Sequence, residues 1–218
     1  VPFMATLYVG MAVIVLVSHY DQIGAAFEQI FIGAFTGAGV AGGFIGALIQ
    51  GLKRATFSNE AGVGSAAIAH SAVKTKEPIT EGFVSLLEPF IDTVVICTMT
   101  ALVIIISGMN TGALSGVTLT AAAFTETSFI FEYFLALAVV MFAFSTMVSW
   151  SYYGLKAWTY LFGEGATTEL VYKGIFCLFV IVGTSISFGA VIDFSDAAMF
   201  SMSIFNIIGL YYLMPIVK

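Results

Sequence analysis

Two groups of residues have the types and spacing to hold a ligand without covalent chemistry. The first is a set of glycines, Gly33, Gly37, Gly39, Gly42, Gly43 and Gly46, inside an otherwise apolar stretch, with residues 37–43 reading GAGVAGG. Each glycine weakens a helix by roughly 1 kcal/mol relative to alanine. The stretch is therefore either a close-packing face, with Gly39/Gly43 and Gly42/Gly46 as small-xxx-small pairs, or an unwound hinge whose bare amides can meet a carboxylate. The second group is the vicinal hydroxyl pair Ser145 and Thr146. Neutral oxygens of this kind suit a hard cation, although a hydroxyl in a membrane helix also commonly bonds a carbonyl one turn earlier.

Ionisable residues inside apolar runs are candidates by default, because a buried carboxylate must be paired or neutralised. Asp92 stands a third of the way into such a run, with Glu88 one turn before it and Pro89 between. Pairing of Asp92 or Glu60 with Arg54 is favoured over a proton relay. Trp150 follows Thr146 by four residues and shares its helical face, where it either closes a pocket or anchors the helix at the interface. His70, beside Lys74 and Lys76, reads as a solvated loop histidine. Cys97 and Cys177 stand singly in apolar runs and read as inert thiols. Residues 37–42 also satisfy G-x-G-x-x-G, but a dinucleotide site needs a strand before it and a soluble βαβ unit around it. A phosphate-binding loop fails as well, since Leu52 follows Gly51 where a lysine would be required. No Cys/His cluster, HExxH motif or nucleophile–base pair supports an enzyme.

The elements that must position these residues are set by composition. Of 218 residues 60% are hydrophobic and only 9% charged, against about 25% charged in a soluble domain. That leaves too little polar surface for a water-soluble globule, and the chain reads as one all-α membrane domain over residues 1–218. About six runs approach the length needed to cross a hydrocarbon core of ~30 Å: residues 2–17, 29–51, 83–107, 129–150, 174–192 and 197–217. With the first run starting on the cytoplasmic side, Lys53, Arg54, Lys74, Lys76, Lys156, Lys173 and Lys218 all fall on that side. The opposite loops would carry Asp21, Glu28, Glu126, Asp193 and Asp196. Trp150, Tyr152, Tyr153, Trp158 and Tyr160 crowd the end of the fourth run, where amphipathic rings prefer the headgroup level. Val1 opens in the middle of an apolar run, which reads as a piece of a longer chain whose N-terminal helices lie upstream.

Three segments carry a resemblance that extends over most of the chain: GLKRATFSNEAGVGS (residues 51–65), IDTVVICTMTAL (91–102) and FAFSTMVSWSYYG (142–154). The chain resembles the alanine or glycine:cation symporter (sodium:alanine symporter) family. That resemblance implies an all-α integral membrane fold, the second half of a LeuT-like inverted repeat of the APC superfamily. It implies that the glycine-broken run 29–51 opens the second repeat, with Phe35, Thr36, Gly37 and Gly39 near the substrate and Trp150 closing the pocket. It also implies that the Phe142 carbonyl joins Ser145 and Thr146 on a sodium ion, while Arg54, Asn59, Glu60 and Asp92 are structural or gating residues. The implied function is sodium-coupled symport of a small neutral amino acid, alanine or glycine, across the cell (inner) membrane. Sodium would be a co-substrate, with no organic cofactor and no nucleic-acid partner. A proton-coupled amino-acid transporter and an ion channel built on broken helices are the alternatives, and the oligomeric state is open.

Overall fold

The computed structural model describes residues 1–36, 43–110 and 112–217, and every regular element among them is helical. In chain order these are α1 (Pro2–Ser18), a 3-10 turn (Tyr20–Gln22), α2 (Ile23–Thr36), α3 (Gly43–Asn59), α4 (Ser65–His70), α5 (Pro78–Ser85) and α6 (Leu87–Pro89). A π-helical stretch (Phe90–Cys97), α7 (Thr98–Ile106), α8 (Gly116–Thr127), α9 (Ile130–Phe162), α10 (Ala166–Thr184) and α11 (Phe188–Val217) complete the set. Pro2 and Pro78 open α1 and α5 at positions where a missing N–H leaves no bond unmade. Pro89, which can donate no backbone bond, immediately precedes the widened π turns.

Four helical stretches among the described residues are long and apolar enough to cross a membrane: Pro78–Ile106, Ile130–Phe162, Ala166–Thr184 and Phe188–Ile216. A fifth arises if Pro2–Ser18 and Tyr20–Thr36, which meet at an 80° bend, form one broken span. None of the residues of α10 is buried within the chain although the helix is apolar, as a face solvated by lipid requires. This is a multi-pass membrane protein.

The predicted set of about six runs is corrected in its boundaries. The run 29–51 is divided between α2 and α3, and its glycines at 37–42 lie outside the described residues. Residues 108–128, expected as a loop, contain α8, whose Phe124 is fully buried. The helix of the fourth run continues past Trp150 to Phe162 and stops at Gly163, whose φ of 85° is easily adopted without a Cβ and whose N–H bonds the Thr159 carbonyl at 2.9 Å. The expected acidic loop 193–196 lies inside α11. There the Ser195 hydroxyl donates to the Val191 carbonyl at 2.8 Å, and Asp196 is met by cations, so residues that read as a loop are absorbed by a helix.

The chain divides into two compact units, one of Val1–Leu52 with Phe90–Thr146, the other of Lys53–Pro89 with Met147–Lys218. In the first, Met11, Ala12 and Val15 of α1 pack with Val103 of α7, Ala123 and Phe124 of α8, and Phe131 and Leu135 of α9. The Tyr8 ring lies 5.6 Å from that of Phe124, and its hydroxyl and that of Thr100 are 2.6 Å apart, tying α1 to α7. In lipid such packing and interhelical hydrogen bonds replace the hydrophobic effect as the cohesive terms. In the second unit the Trp158 ring nitrogen donates to the Thr168 carbonyl at 3.1 Å and packs on Phe162 and Tyr172, closing the α9–α10 turn.

Candidate functional site

In the second unit a helix is interrupted in a way that only specific side chains can support. Between α3 and α4 the chain holds Glu60 at φ 55°, Gly62 at 81° and Gly64 at 109°. Glu60 is the one non-glycine residue with positive φ among those described, a conformation that costs of order 1–3 kcal/mol. Replacement bonds hold the interruption in place. The Asn59 side-chain oxygen accepts from the Ala61 N–H at 2.9 Å, and the Val63 N–H reaches the Glu60 carbonyl at 3.2 Å. The Asn206 amide of α11 donates to the Gly62 carbonyl at 2.9 Å. A Cβ on Gly64 would stand 3.3 Å from Asn206 atoms, which would have to give by a few tenths of an ångström, and the φ of 109° is one that L side chains rarely adopt. Val63 and Ser65 are buried, and the Ser65 hydroxyl has no hydrogen-bond partner among the described residues.

The contacts with α11 fix the depth of this interruption. At about 1.5 Å per residue the stretch Phe188–Ile216 is about 44 Å long, and Asn206 lies about 27 Å along it, close to its middle. Asp196 lies about 12 Å along the same helix. Its carboxylate is nearly buried, with Lys53 at 3.3 Å and Arg54 hydrogen-bonded to the same oxygen, while the second carboxylate oxygen is buried without a partner. The sequence points to Asp92 or Glu60 as the partner of Arg54; the structure supplies Asp196. Because Lys53 and Arg54 meet Asp196 and Gly62 meets Asn206, the chain from residue 53 to 62 runs parallel to α11 and brings a non-helical backbone beside the middle of a spanning helix. At that depth, irregular backbone is tolerated only where protein buries it or water and ligand reach it.

The remaining expected residues are distributed between the units. Phe35 and Thr36 end α2 in the first unit. The Phe35 ring stacks on Phe31 and, at 5.2 Å, on Phe44 of α3, and the Thr36 hydroxyl donates to the Ile32 carbonyl. Gly37 and Gly39 lie outside the described residues. Phe142, Ser145 and Thr146 stand on the unbroken α9, so the Phe142 carbonyl belongs to a continuous helix. Phe142 packs edge-on against Tyr8 at 6.1 Å; Ser145 is half-buried and Thr146 exposed. Asp92, half-buried in the π-helical stretch, accepts from the Thr93 hydroxyl at 3.2 Å. Trp150, in the second unit, packs on Tyr153 at 5.8 Å. Asp196 and Asn206 were missed by sequence reasoning. Asn206 is an amide within an apolar run and Asp196 stands with Asp193 and Ser195 at the edge of one, which was the available signal.

His70 is not the solvated loop residue its lysine neighbours suggest. It ends α4 with Nδ1 2.6 Å from Glu81 of α5 and Nε2 3.2 Å from Glu88 of α6, beside a cavity of about 390 Å³ lined also by Ser71, Thr75 and Ser85. The hydrogen bond to Glu81 raises its pKa above the ordinary histidine value; partial burial opposes this and Glu88 adds to it.

The sodium:alanine symporter family model matches residues 1–218. The chain belongs to this family. It is 38% identical over its whole length to the sodium/alanine symporter of Methanococcus maripaludis, covering 49% of that protein. It is 33% identical over 98% of its length to the probable sodium/glutamine symporter of Bacillus subtilis and 32% identical over 95% to an amino-acid carrier protein of the same organism, covering 45% of each. The chain thus spans about half the length of the curated relatives it matches.

Two outcomes follow for this family member. Gly64→Ala should destabilise the protein by about 1–3 kcal/mol through its φ and the push on Asn206. Gly82→Ala, where a Cβ meets nothing within 4 Å, should not; thermal unfolding in detergent separates them. A His70 pKa raised by folding means that its protonated form stabilises. The stability lost in His70→Gln should therefore be largest below the ordinary histidine value of about 6.5, and vanish as pH rises through the higher folded value. A pH-independent difference in melting temperature would contradict it.

Proposed function

We propose that the protein is a sodium-coupled symporter of a small neutral amino acid, alanine or glycine, built on the second half of a LeuT-like inverted repeat. The observation that carries this reading is the interruption at residues 60–64, supported from α11 within a family of sodium:alanine symporters. An interrupted helix offers a zwitterion backbone amides and carbonyls whose bonds can be exchanged, without introducing a second formal charge, which suits a substrate whose own charges cancel. The buried Ser65 hydroxyl adds a donor and acceptor with no protein partner among the described residues. The relatives named for alanine and glutamine transport support an amino-acid substrate and a sodium partner.

In this reading the interruption and the Ser65 hydroxyl meet the solute and Phe142 with Ser145 and Thr146 supplies oxygens to sodium, while the substrate-binding roles that the resemblance implies for Phe35, Thr36, Gly37, Gly39 and Trp150 are the alternative that the position of bound solute decides. Asn59 and Glu60 shape the interruption, Arg54 ties α3 to α11, and Asp92 is structural or gating. Sodium and amino acid together favour the conformation that both fit, so each raises the apparent affinity for the other. Proton coupling is the second reading, favoured by Asp92 in a π-helical stretch of a span.

Full-length protein in proteoliposomes should take up labelled alanine or glycine under an inward sodium gradient and lose that uptake when potassium replaces sodium. Ser145→Ala with Thr146→Ala should raise the sodium concentration for half-maximal uptake several-fold at unchanged expression. Sodium-independent uptake sensitive to a proton gradient would transfer the coupling role to protons.

A further inference from the structure

We propose that α3 is fastened to α11 at two unequal points, with Asp196 as a fixed pivot and the Asn206–Gly62 bond as the contact that opens when the interruption changes shape. The two points lie about 15 Å apart along α11. At the first, two cations share one oxygen of a carboxylate whose side chain is only 8% exposed. At the second, a neutral amide holds one carbonyl of an already irregular segment.

The difference between the two points is electrostatic. Separating Asp196 from both cations would leave a bare carboxylate nearly buried in an apolar span, one of whose oxygens already lacks a partner. Lys53 and Arg54 are redundant: with side chains 35% and 46% exposed, either can shift while the other stays on the carboxylate. The Arg54 guanidinium also lies 5.4 Å from the centre of the Phe57 ring, which restrains it further along its own helix. Releasing Asn206 from Gly62 parts two neutral groups, and a water or a ligand's polar atom can replace either partner. Rearrangement is therefore confined to residues 60–64 and α4, which continues from them, while the α3 segment beside Asp196 keeps its place. Asp196 is a positioning residue in this scheme, and the mechanical part rests on the carrier reading above.

Spin-label pairs on the full-length protein in liposomes test this without needing a substrate: Ala55 with Phe194 at the pivot, and Ala67 with Phe205 at the opening contact. Asn206→Ala should shift or broaden the Ala67–Phe205 distance distribution and leave Ala55–Phe194 unchanged. Asp196→Asn should alter both, and Asp196→Glu should restore the Ala55–Phe194 distance. Asn206→Ala disturbing both pairs alike, or Asp196→Asn leaving Ala55–Phe194 intact, would overturn the proposal. Adding sodium and alanine should move only the Ala67–Phe205 pair, and movement of the Ala55–Phe194 pair would overturn it. Uptake measured in the same liposomes reports separately on the symporter reading, because the distances in the variants do not depend on which solute is carried.

Discussion

In hydrocarbon an unpaired backbone group or an isolated charge has no water to fall back on, and the arrangement of the second unit follows from that constraint. A five-residue departure from helical geometry beside the middle of a spanning helix frees N–H and C=O groups that must find partners. Asn59 supplies one from its own helix and Asn206 supplies another from α11. A carboxylate in α11 demands cations, and α3 provides two in adjacent positions. Meeting both demands aligns α3 with α11 in one direction and one register.

The first unit is organised differently. Its core of α1, α7, α8 and the start of α9 is built from apolar side chains around Phe124, with an interhelical hydroxyl bond between Tyr8 and Thr100. A packed face of this kind resists gradual deformation, because displacing one side chain opens a void beside its neighbours. The interruption at residues 60–64 has polar attachments that can be exchanged one at a time. The proposed function would use both kinds of element: rigid spans, and a local segment whose alternatives differ by only a few hydrogen bonds.

Much of this was legible in the sequence. Composition placed the chain in a membrane and the motif at residues 51–65 pointed to the family. The helix break was expected in the glycine run 37–43, of which residues 37–42 lie outside the described residues, whereas the one the structure describes follows Asn59. Gly62 and Gly64 were visible there, but a positive φ at Glu60 depends on bonds from Asn59 and from α11 that no local pattern reveals. Asp193 and Asp196 read as a loop because charge in a span is rare; knowing that Lys53 and Arg54 lie alongside requires the tertiary arrangement. The end of the fourth run was placed at Trp150 because aromatic rings mark interfaces, yet nothing breaks that helix before Gly163. His70 was misjudged for the same reason: its carboxylate partners lie on α5 and α6, whereas its sequence neighbours include lysines.

Under the proposed function the interruption at residues 60–64, supported from α11, is where the transported solute meets the protein. A cryo-EM map of the full-length protein with sodium and alanine bound tests it most directly. The expected result is solute density within hydrogen-bond distance of the backbone of residues 60–64 or of the Ser65 hydroxyl. Solute density elsewhere, with the Ser65 hydroxyl bonded to protein and the segment fully packed by side chains, would contradict it.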